Sequence, residues 1–582
     1  MSLADLIPSR FPPGFRWVGG AVWRLEHAFE RAKAKDRPED NTRVRIFVVA
    51  MFFATIFCVL AIGATHAALF SDAALGEGSA PLTPGARADL VDRNGQLLAL
   101  DLTHYGLYLD PSEVWDTAQT KAQLIQTIPG LDPARIDKAL HSEKRYYLIG
   151  GLTPEDRDRI HDLGLPGLYF EEEQKRVYPL GTTAAHLIGF TDSGGEGLAG
   201  VERALNDQVM QAAAGHGQVP LSIDLRVQGA LEEELRTAAE EFTPKGAVGI
   251  VTNVRTGEIL GMASWPTFDP NQPGAASDDQ RLNRAAASVF EMGSTFKGFT
   301  VAIGLDSGVA TPGSTFDATH PFQLGYRTIH DYHGTNRILT LVDVFIHSSN
   351  IGTARLAESI GAQRLEHYFK ALGLTRPAMV ELKESARPLT PRVWNEDAVA
   401  STSFGHGIDV SPLALAEAYG AVLNGGVLVP LTVKKLPDGA KVKGQRVFSE
   451  STTMTMLQIM RANVEDGTGT KADAEGLSVG GKTGTGEKFD PAIRGYSTTK
   501  QVSSFAAVFP TDGPPDAPRY FVLILMDEPH GTASTYGFST GGWVAAPAAG
   551  RVIDRIAPFV GVQRHTPAPL AVAQYVTAGK YD

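Results

Sequence analysis

Three short sequences, in the order in which they occur, carry side chains that could act together on an acyl group. Residues 293–297 read GSTFK, residues 348–350 read SSN and residues 481–485 read GKTGT. A serine hydroxyl is a poor nucleophile until a base removes its proton, and a desolvated neutral lysine can be that base. On a helix, positions i and i+3 share a face, so Lys297 would stand beside Ser294. The pattern therefore indicates serine nucleophilic catalysis.

The segments around these sequences indicate which elements would position them. Apolar AAASVF precedes Ser294 and apolar FTVAIGL follows it, which favours a buried helix that begins near the serine. Unpaired backbone N–H groups at the start of a helix can help to bind an oxyanion. GKTGT is followed by the strand-like QVSSFAAVF. If a strand carries GKTGT, Lys482 can project a cation into a cleft and Gly484 lets a substrate backbone come close.

Each sequence also has an ordinary structural explanation when it is taken alone. Ser294 could be a helix N-cap with Lys297 on the surface, SSN could be a loop or a cap, and KTG could be a turn. An S-x-x-K sequence is expected by chance in a chain of this size. The occurrence of all three in this order, in a plausible helix, helix and strand setting, argues against coincidence.

Composition excludes several classes of protein. The 582 residues include 65 acidic and 53 basic ones, for a formal charge of -12, so nucleic acid is a poor candidate for a partner. The single cysteine, Cys58, excludes an intramolecular disulfide, a CxxC redox pair and a cysteine-rich zinc site. At roughly 100–200 residues per domain, the chain is long enough for two or three domains.

An uncharged apolar segment near the N-terminus predicts a membrane anchor. Residues 46–64 carry no charge, and with the residues up to Leu69 they reach the ~20 residues that span a bilayer. Residues 1–45 hold nine lysines and arginines and residues 70–86 hold none, which places the N-terminus in the cytoplasm. A cleaved signal peptide fits less well, because the basic segment is long and the apolar run exceeds ~7–15 residues. We expect one uncleaved span, residues 46–69, behind a cytoplasmic tail of residues 1–45.

The rest of the chain divides by composition. Residues 70–86 are small, polar and rich in proline and glycine, so we expect a linker. The N-terminal region, residues 87–220, opens with Asn94-Gly95 between two apolar runs, which predicts a β-hairpin. In the C-terminal region, residues 221–562, strand-like segments bracket a mostly helical middle, which predicts an α+β domain with an antiparallel sheet. We expect residues 563–582 to be a loose tail.

The sequence resembles the class B penicillin-binding proteins, the monofunctional peptidoglycan D,D-transpeptidases. S-x-x-K, S-x-N and K-T/S-G are the motifs of that family. RADLVDRNGQLLA and RVYPLGTTAAHLIGF resemble its non-catalytic pedestal, and SFGHGIDVSPLALAEAYGAVLNGG resembles the stretch between its second and third motifs. EMGSTFK, HSSNIGTARLA and TGGWVAAPAAGRVI look most like the septal, cell-division member. The resemblance implies a serine transpeptidase domain behind a β-rich pedestal and one transmembrane helix.

The resemblance also implies roles for the residues of the first two motifs. Ser294 would be the acylated nucleophile, and Lys297 would be its general base. Ser348 would relay a proton, and Asn350 would hydrogen-bond Lys297 and the substrate amide.

For the third motif, the resemblance implies that Lys482 supplies positive potential, with Gly484 beside it. Thr483 and Thr485 would bind the terminal carboxylate of the donor, and the backbone N–H groups of Ser294 and Thr485 would form the oxyanion hole. The donor would be the D-Ala-D-Ala stem of lipid-linked peptidoglycan, and the acceptor an amine on a neighbouring stem. β-Lactams would acylate Ser294, and no metal or organic cofactor is implied.

A histidine-rich stretch between the first two motifs is left without a role. Its members are His320, His330, Asp331, His333 and His347. A metal site is conceivable, but the spacing matches no standard set of ligands, and polar surface or cleft-lining side chains are the favoured interpretation. Glu487 and Lys488 follow the third motif and could line the edge of the cleft.

Four other functions are compatible with some of these motifs. A class A β-lactamase would be about half as long, without an anchor or a pedestal. A D,D-carboxypeptidase performs the same acylation but passes the acyl group to water. A bifunctional synthase needs a glycosyltransferase domain, for which residues 87–220 are too short, so polymerisation would come from a partner, alongside other division proteins. A non-catalytic penicillin sensor or division scaffold would carry a similar domain, although intact motifs argue against it.

Overall fold

The computed structural model describes residues 86–577, except 216, 325–326, 333 and 491–494, together with a few residues between 49 and 57. The predicted cytoplasmic tail (1–45), most of the predicted anchor (46–69) and nearly all of the linker lie outside the described residues. Within the described part of the chain, no helix is long and apolar enough to cross a membrane. Residues 1–82 and 83–582 form two separate units, and the description below concerns the second.

The second unit contains both strands and helices. The strands are β1 (Asp89–Val91), β2 (Leu97–Leu109), β3 (Tyr146–Leu152), β4 (Leu168–Val177), β5 (Gln218–Pro220), β6 (Gly246–Asn253), β7 (Ile259–Trp265), β8 (Phe290–Glu291), β9 (Thr315–Asp317), β10 (Phe322–Leu324), β11 (Arg327–Ile329), β12 (Ile338–Thr340), β13 (Asp409–Val410), β14 (Val427–Leu428), β15 (Gln445–Arg446), β16 (Gly480–Asp490), β17 (Gly495–Phe509) and β18 (Tyr520–Asp527). The α-helices are α1 (Thr117–Thr127), α2 (Pro133–Leu140), α3 (Pro154–His161), α4 (Ala185–Ile188), α5 (Gly200–Ala204), α6 (Asn206–Ala214), α7 (Leu225–Phe242), α8 (Asp278–Arg281), α9 (Arg284–Ala287), α10 (Lys297–Asp306), α11 (Leu341–Ile346), α12 (Asn350–Ile360), α13 (Ala362–Ala371), α14 (Glu396–Ser403), α15 (Pro412–Leu423), α16 (Glu450–Asp466) and α17 (Ala545–Ile556).

The N-terminal region is built on a sheet, as the sequence predicts. Its strands lie in the order β3-β2-β1-β5, and β4 also pairs with β2. The predicted hairpin joins β1 to β2 in antiparallel register, and Gly95 takes a φ of 84° in its turn, which a glycine adopts without strain. The carboxylate of Asp92 accepts from the backbone N–H groups of Asn94 and Gln96 and closes the same turn.

A buried cluster of charged side chains ties the N-terminal region together. Glu202 accepts from Arg87 at 2.6 Å and from Arg176 at 2.7 Å, and Arg176 also donates to Asp101 at 3.0 Å. Both arginines and Glu202 are almost completely buried. Removing one member of such a cluster leaves an uncompensated buried charge, so its members depend on one another.

The C-terminal region is organised around a five-stranded sheet in the order β16-β17-β18-β6-β7. Every pairing in it is antiparallel, which confirms the prediction of an α+β fold with an antiparallel sheet. The central strand β18 reads YFVLILMD and is buried throughout, because helices cover both faces of the sheet. The sheet thereby brings β16, which carries the third motif, into one layer with strands from the start of the region.

One face of this sheet is covered by α7 and α17. α7 begins after Asp224, whose side chain accepts from the N–H of Arg226, and it buries apolar residues such as Leu231. The two helices are joined by Glu234, which accepts from arginines of α17 at 2.6 and 3.0 Å. The opposite face carries the helical middle of the region, including α10, α12, α15 and α16, around the largest apolar core.

Part of the predicted loose tail, residues 563–582, packs against the C-terminal region. Ala571–Tyr575 form a short 3-10 turn, and Val572 is buried in the core of the C-terminal region. The N–H of Thr577 donates to the buried carboxylate of Asp343 at 3.1 Å. No local pattern indicates this packing, because Thr577 and Asp343 are 234 residues apart in the sequence.

Candidate active site

Ser294 lies on a tight turn that leads into a buried helix. Gly293–Phe296 form a 3-10 turn, and α10 begins at Lys297, whose backbone N–H donates to Ser294 O. Gly293 has a φ of 54°, and a Cβ at this position would collide with the carbonyl oxygen of Thr485. Only a glycine therefore permits the turn to approach β16 this closely, and the approach brings the first and third motifs together.

Lys297 is fully buried at the start of α10. Its Nζ donates to Asn350 Oδ1 at 2.8 Å, to Ser348 Oγ at 3.1 Å and to the carbonyl oxygen of Ser348. Burial lowers the pKa of Lys297 to about 7, and the negative charge of Asp331 partly opposes this effect. A lysine that is neutral for much of the time near pH 7 can act as a general base.

Ser348 occupies a strained position between two helices. Its φ is 57°, in the left-handed region that a residue with a side chain rarely adopts. Its N–H donates to Phe345 O at 3.2 Å at the end of α11. The next residue, Ser349, caps α12 by accepting from the N–H of Gly352. Helices on both sides hold this conformation, which is typical of functional sites.

Lys482 is also fully buried, and its Nζ lies on the other side of the Ser348 hydroxyl. It donates to Ser348 Oγ at 3.0 Å and to the carbonyl oxygen of Thr483 at 3.1 Å. Burial, together with the charge of Lys297, lowers the pKa of Lys482 well below its usual value. Two ammonium groups on one buried hydroxyl repel each other, so the pair holds one positive charge more readily than two.

The remaining residues of the third motif are held by their neighbours along β16. Thr483 Oγ1 lies 2.8 Å from Thr468 Oγ1, and Thr485 Oγ1 accepts from the N–H of Gly541 at 3.2 Å. A Cβ on Gly484 would collide with protein atoms, among them the carbonyl oxygen of Met292. Packing inside the protein therefore already requires this glycine, and its predicted approach to a substrate stays a prediction.

The structure brings together the site residues that the sequence predicts. Ser294, Lys297, Ser348, Asn350, Lys482, Thr483, Gly484 and Thr485 lie on one turn, two helix starts and one strand that meet at the edge of the sheet. Two further residues of the site, Thr468 and Gly541, were not predicted, because only folding brings them to the third motif. No short motif marks either residue, so the sequence offered no signal for them.

The histidine-rich stretch contributes hydrogen-bond acceptors to the second motif and to the start of α12. Asp331 accepts from Ser349 and Ile351, and the carbonyl oxygen of His330 accepts from Asn350. In the part of the chain that the structure describes, no three metal-ligating side chains are placed to share a metal ion. His333 lies outside the described residues.

The two charged residues after the third motif differ from each other. Lys488 turns towards the end of β18, where its Nζ lies 2.7 Å from Asp527 and 2.6 Å from Glu528. Glu487 is exposed on β16. Its predicted place at the edge of the cleft stays a prediction.

Comparison with known proteins finds two family models that match different parts of the chain. Residues 247–554 match the family model described as the penicillin binding protein transpeptidase domain, and residues 82–212 match the penicillin-binding protein dimerisation domain. A relative named probable peptidoglycan D,D-transpeptidase FtsI, from Caulobacter vibrioides, is 66% identical over 97% of this chain and 97% of its own length. Probable peptidoglycan D,D-transpeptidase PenA of Neisseria gonorrhoeae is 32% identical over 84% of this chain and 87% of its own length.

A solved structure has the same fold. The crystal structure of penicillin-binding protein 3 from Mycobacterium tuberculosis, in complex with aztreonam, superposes with a TM-score of 0.65 at 25% identity. The match covers 84% of this chain and 99% of that chain. The N-terminal and C-terminal regions therefore both have counterparts in a known structure.

Proposed function

The chain belongs to the penicillin-binding protein transpeptidases, and we propose that it cross-links peptidoglycan stem peptides through an acyl-enzyme on Ser294. It is a peptidoglycan D,D-transpeptidase, and its septal-type motifs support a role in building the division septum. The observation that carries the site assignment is the buried hydrogen-bond chain from Lys297 through Ser348 to Lys482, which starts at the helix that follows the Ser294 turn.

Acylation follows from the properties of these side chains. Neutral Lys297 takes the proton of the Ser294 hydroxyl, and Oγ attacks the carbonyl carbon of the penultimate D-alanine of the donor. Thr483 and Thr485 hold the donor carboxylate, and the N–H groups of Ser294 and Thr485 stabilise the oxyanion. The peptide bond breaks, and the terminal D-alanine leaves with a proton that reaches its nitrogen through the Ser348 hydroxyl.

The second half of the reaction returns the enzyme to its starting state. An amine of a neighbouring stem attacks the ester carbonyl carbon and loses a proton to Lys297. The new peptide bond forms, and Ser294 Oγ leaves and is reprotonated. A β-lactam enters by the same first step, but its opened ring stays attached to the acyl group, so the acyl-enzyme persists.

The alternatives make different demands on the chain. The match to a dimerisation domain before the transpeptidase domain disfavours a β-lactamase. A carboxypeptidase would release the acyl group to water, and a non-catalytic sensor would be acylated without forming cross-links. These two alternatives are separated from a transpeptidase by product analysis rather than by penicillin binding.

The decisive experiment has two parts. Mass spectrometry of the full chain after penicillin treatment should place a single adduct on Ser294, and Ser294→Ala should abolish it. Incubation with a purified donor and acceptor pair should give cross-linked stems rather than trimmed ones. An adduct that survives Ser294→Ala would refute the site assignment, and trimmed or unchanged stems with a normal adduct would refute transpeptidation.

The proposal includes the placement of the chain in the membrane. Residues 1–45 lie in the cytoplasm, residues 46–69 cross the inner membrane once, and residues 70–86 link them to the pedestal and transpeptidase domains outside. The excess of lysine and arginine before the apolar segment supports this topology. A reporter fused after residue 86 should be active only outside the cytoplasm, and a shortened N-terminus on the mature protein would contradict the anchor.

The proposed partners follow from the N-terminal region, which matches a dimerisation domain rather than a glycosyltransferase. We propose residues 87–220 as a non-catalytic pedestal and residues 221–562 as the catalytic domain, with residues 563–582 as a C-terminal segment. The glycan strands of peptidoglycan would then be polymerised by a separate glycosyltransferase, which works together with other division proteins. Depletion should give long undivided cells, whereas swollen, rounded cells would indicate a role in elongation.

A further inference from the structure

Asp331 attaches the loop between β11 and β12 to the first turn of α12. Its Oδ2 accepts from Ser349 Oγ at 2.8 Å, and its Oδ1 accepts from the N–H of Ile351 at 3.0 Å. The carbonyl oxygen of the preceding residue, His330, accepts from Asn350 Nδ2 at 3.0 Å. Three consecutive residues of the second motif and helix start are therefore bonded to two consecutive residues of the loop.

These bonds fix the orientation of the Asn350 side chain. A primary amide presents an acceptor on one side and donors on the other, so the partner of one side determines what the other side offers. Because Nδ2 donates to the loop, Oδ1 faces Lys297 and accepts from its Nζ at 2.8 Å. The reverse orientation would point a second donor at the lysine. The loop thus keeps an acceptor in front of the catalytic amine.

Asp331 also brings a negative charge to the start of α12, where a carboxylate is favoured by the unpaired N–H groups of the helix. Asp331 favours the ammonium form of Lys297, whereas Lys482 lies across Ser348 Oγ from it and has a pKa that is itself lowered by burial and by the charge of Lys297. On the adjoining elements, Tyr419 and His347 are kept neutral near pH 7, because burial raises the pKa of Tyr419 and lowers that of His347. The charge that moderates Lys297 therefore comes from the loop.

We propose that Asp331 is a positioning residue for acylation: it holds the first turn of α12 so that Asn350 Oδ1 faces Lys297, and its charge acts on the same lysine. This inference rests on the proposed role of Lys297 as the general base for Ser294. It also gives a role to the histidine-rich stretch, for which the sequence alone indicated none.

Two substitutions separate position from charge. Asp331→Asn keeps an oxygen for the Ile351 N–H and removes the charge, whereas Asp331→Ala removes both. Asp317→Asn is the matched control, because Asp317 is an exposed acid on β9, the strand that pairs with β12, and its carboxylate accepts from the N–H and the hydroxyl of neighbouring Thr319. The measurement is the second-order rate constant of acylation by a fluorescent penicillin, on the full chain in detergent, between about pH 5.5 and 9.

The expected results differ between the variants. A negative charge favours the ammonium form of Lys297, so its removal in Asp331→Asn should move the acid limb of the profile to lower pH. The plateau should stay within about threefold of the unaltered protein, because the hydrogen bond that carries the position is kept. Asp331→Ala should lower the plateau about tenfold or more, because the helix start is released as well. Asp317→Asn should give an unaltered profile.

Each outcome bears on one proposal. An acid limb of Asp331→Asn that superposes on that of the unaltered protein, or moves to higher pH, would overturn the inference even if Asp331→Ala is unfolded. A lower melting temperature without a moved limb would assign Asp331 a purely structural role. If the unaltered protein shows no penicillin adduct on Ser294, the proposed function fails instead, independently of Asp331.

Discussion

Lys297 and Lys482 share one hydrogen-bond partner: their Nζ atoms lie 3.1 and 3.0 Å from the hydroxyl oxygen of Ser348. A serine hydroxyl has one proton to donate and two lone pairs to accept with, so it can pass a proton from one amine to the other. The buried pair can therefore exchange the base and acid roles that the two halves of the reaction require.

The pH dependence of acylation should report the protonation state of Lys297. Burial lowers its pKa to about 7, and only its neutral form can accept the proton of Ser294. The neutral fraction grows as the pH rises, so the second-order rate constant with penicillin should increase through about pH 7 and then level off. A rate that is constant between about pH 5.5 and 8.5, or that still rises near pH 10, would contradict this role.

Arginine substitutions should separate the two lysines. An arginine cannot be deprotonated in a protein, so Lys297→Arg should reduce acylation at least ~100-fold. Lys482→Arg keeps a positive charge and should retain measurable acylation, although the larger guanidinium has to fit a fully buried site. Its permanent charge disfavours the ammonium form of Lys297, so the acid limb should lie at lower pH. Equal losses in two folded variants would reject this division of roles.

The backbone conformation of Ser348 predicts an unusual order of stability. Ser348→Ala removes the shared hydroxyl but keeps a side chain at a φ of 57°, whereas Ser348→Gly also relieves that conformation. Both variants should lose acylation. The free energy of unfolding of the glycine variant should nevertheless be about 1 kcal/mol higher than that of the alanine variant. Denaturant titration of the two proteins measures this difference. A more stable alanine variant would show that the position is not strained.

Gly293 should be irreplaceable for activity. A Cβ there would meet the carbonyl oxygen of Thr485 and push the Ser294 turn away from β16. A displacement of about 1 Å can cost 100-fold in rate, so Gly293→Ala should lower acylation by roughly this factor. Gly308→Ala is the control: Gly308 also has a positive φ, of 69°, but open space around its missing Cβ. It should lose some stability and keep normal acylation kinetics.

Glu202 should dominate the stability of the N-terminal region. Glu202→Gln removes the charge that Arg87 and Arg176 share, and breaking a buried ion pair costs about 3–5 kcal/mol. Asp137→Asn removes one partner of a solvent-exposed pair with Lys121 and should cost no more than about 1 kcal/mol. Denaturation followed by a probe in residues 87–220 compares the two. Similarly small losses in the free energy of unfolding would show that the buried charged cluster does not determine the stability of the N-terminal region.

The residues that meet at the site were predictable because residue types and their order identify the three motifs. S-x-x-K, S-x-N and K-T-G each name side chains whose roles depend little on the rest of the chain, and the structure gathers all of them. The antiparallel sheet was predictable for a similar reason, since continuous apolar runs such as that of β18 indicate buried strands.

What the sequence could not show depends on contacts between distant residues. The left-handed backbone of Ser348 follows from how α11 and α12 are held, and no local pattern announces it. Asp331 stood out only as part of a histidine-rich stretch, whereas its role comes from meeting α12. Gly484 was attributed to substrate access, but the folded chain shows that Met292 already fills the space of its Cβ.

The hydrogen bond between Thr577 and Asp343 connects the C-terminal segment to the helix that precedes the second motif. Asp343 lies in the first turn of the helix that leads to Ser348, and its buried carboxylate is satisfied in part by residues made 234 positions later. A chain cut before Thr577 would lose hydrogen bonds to this buried carboxylate, in the helix that leads to the second motif. The C-terminal segment therefore contributes to the stability of the active site.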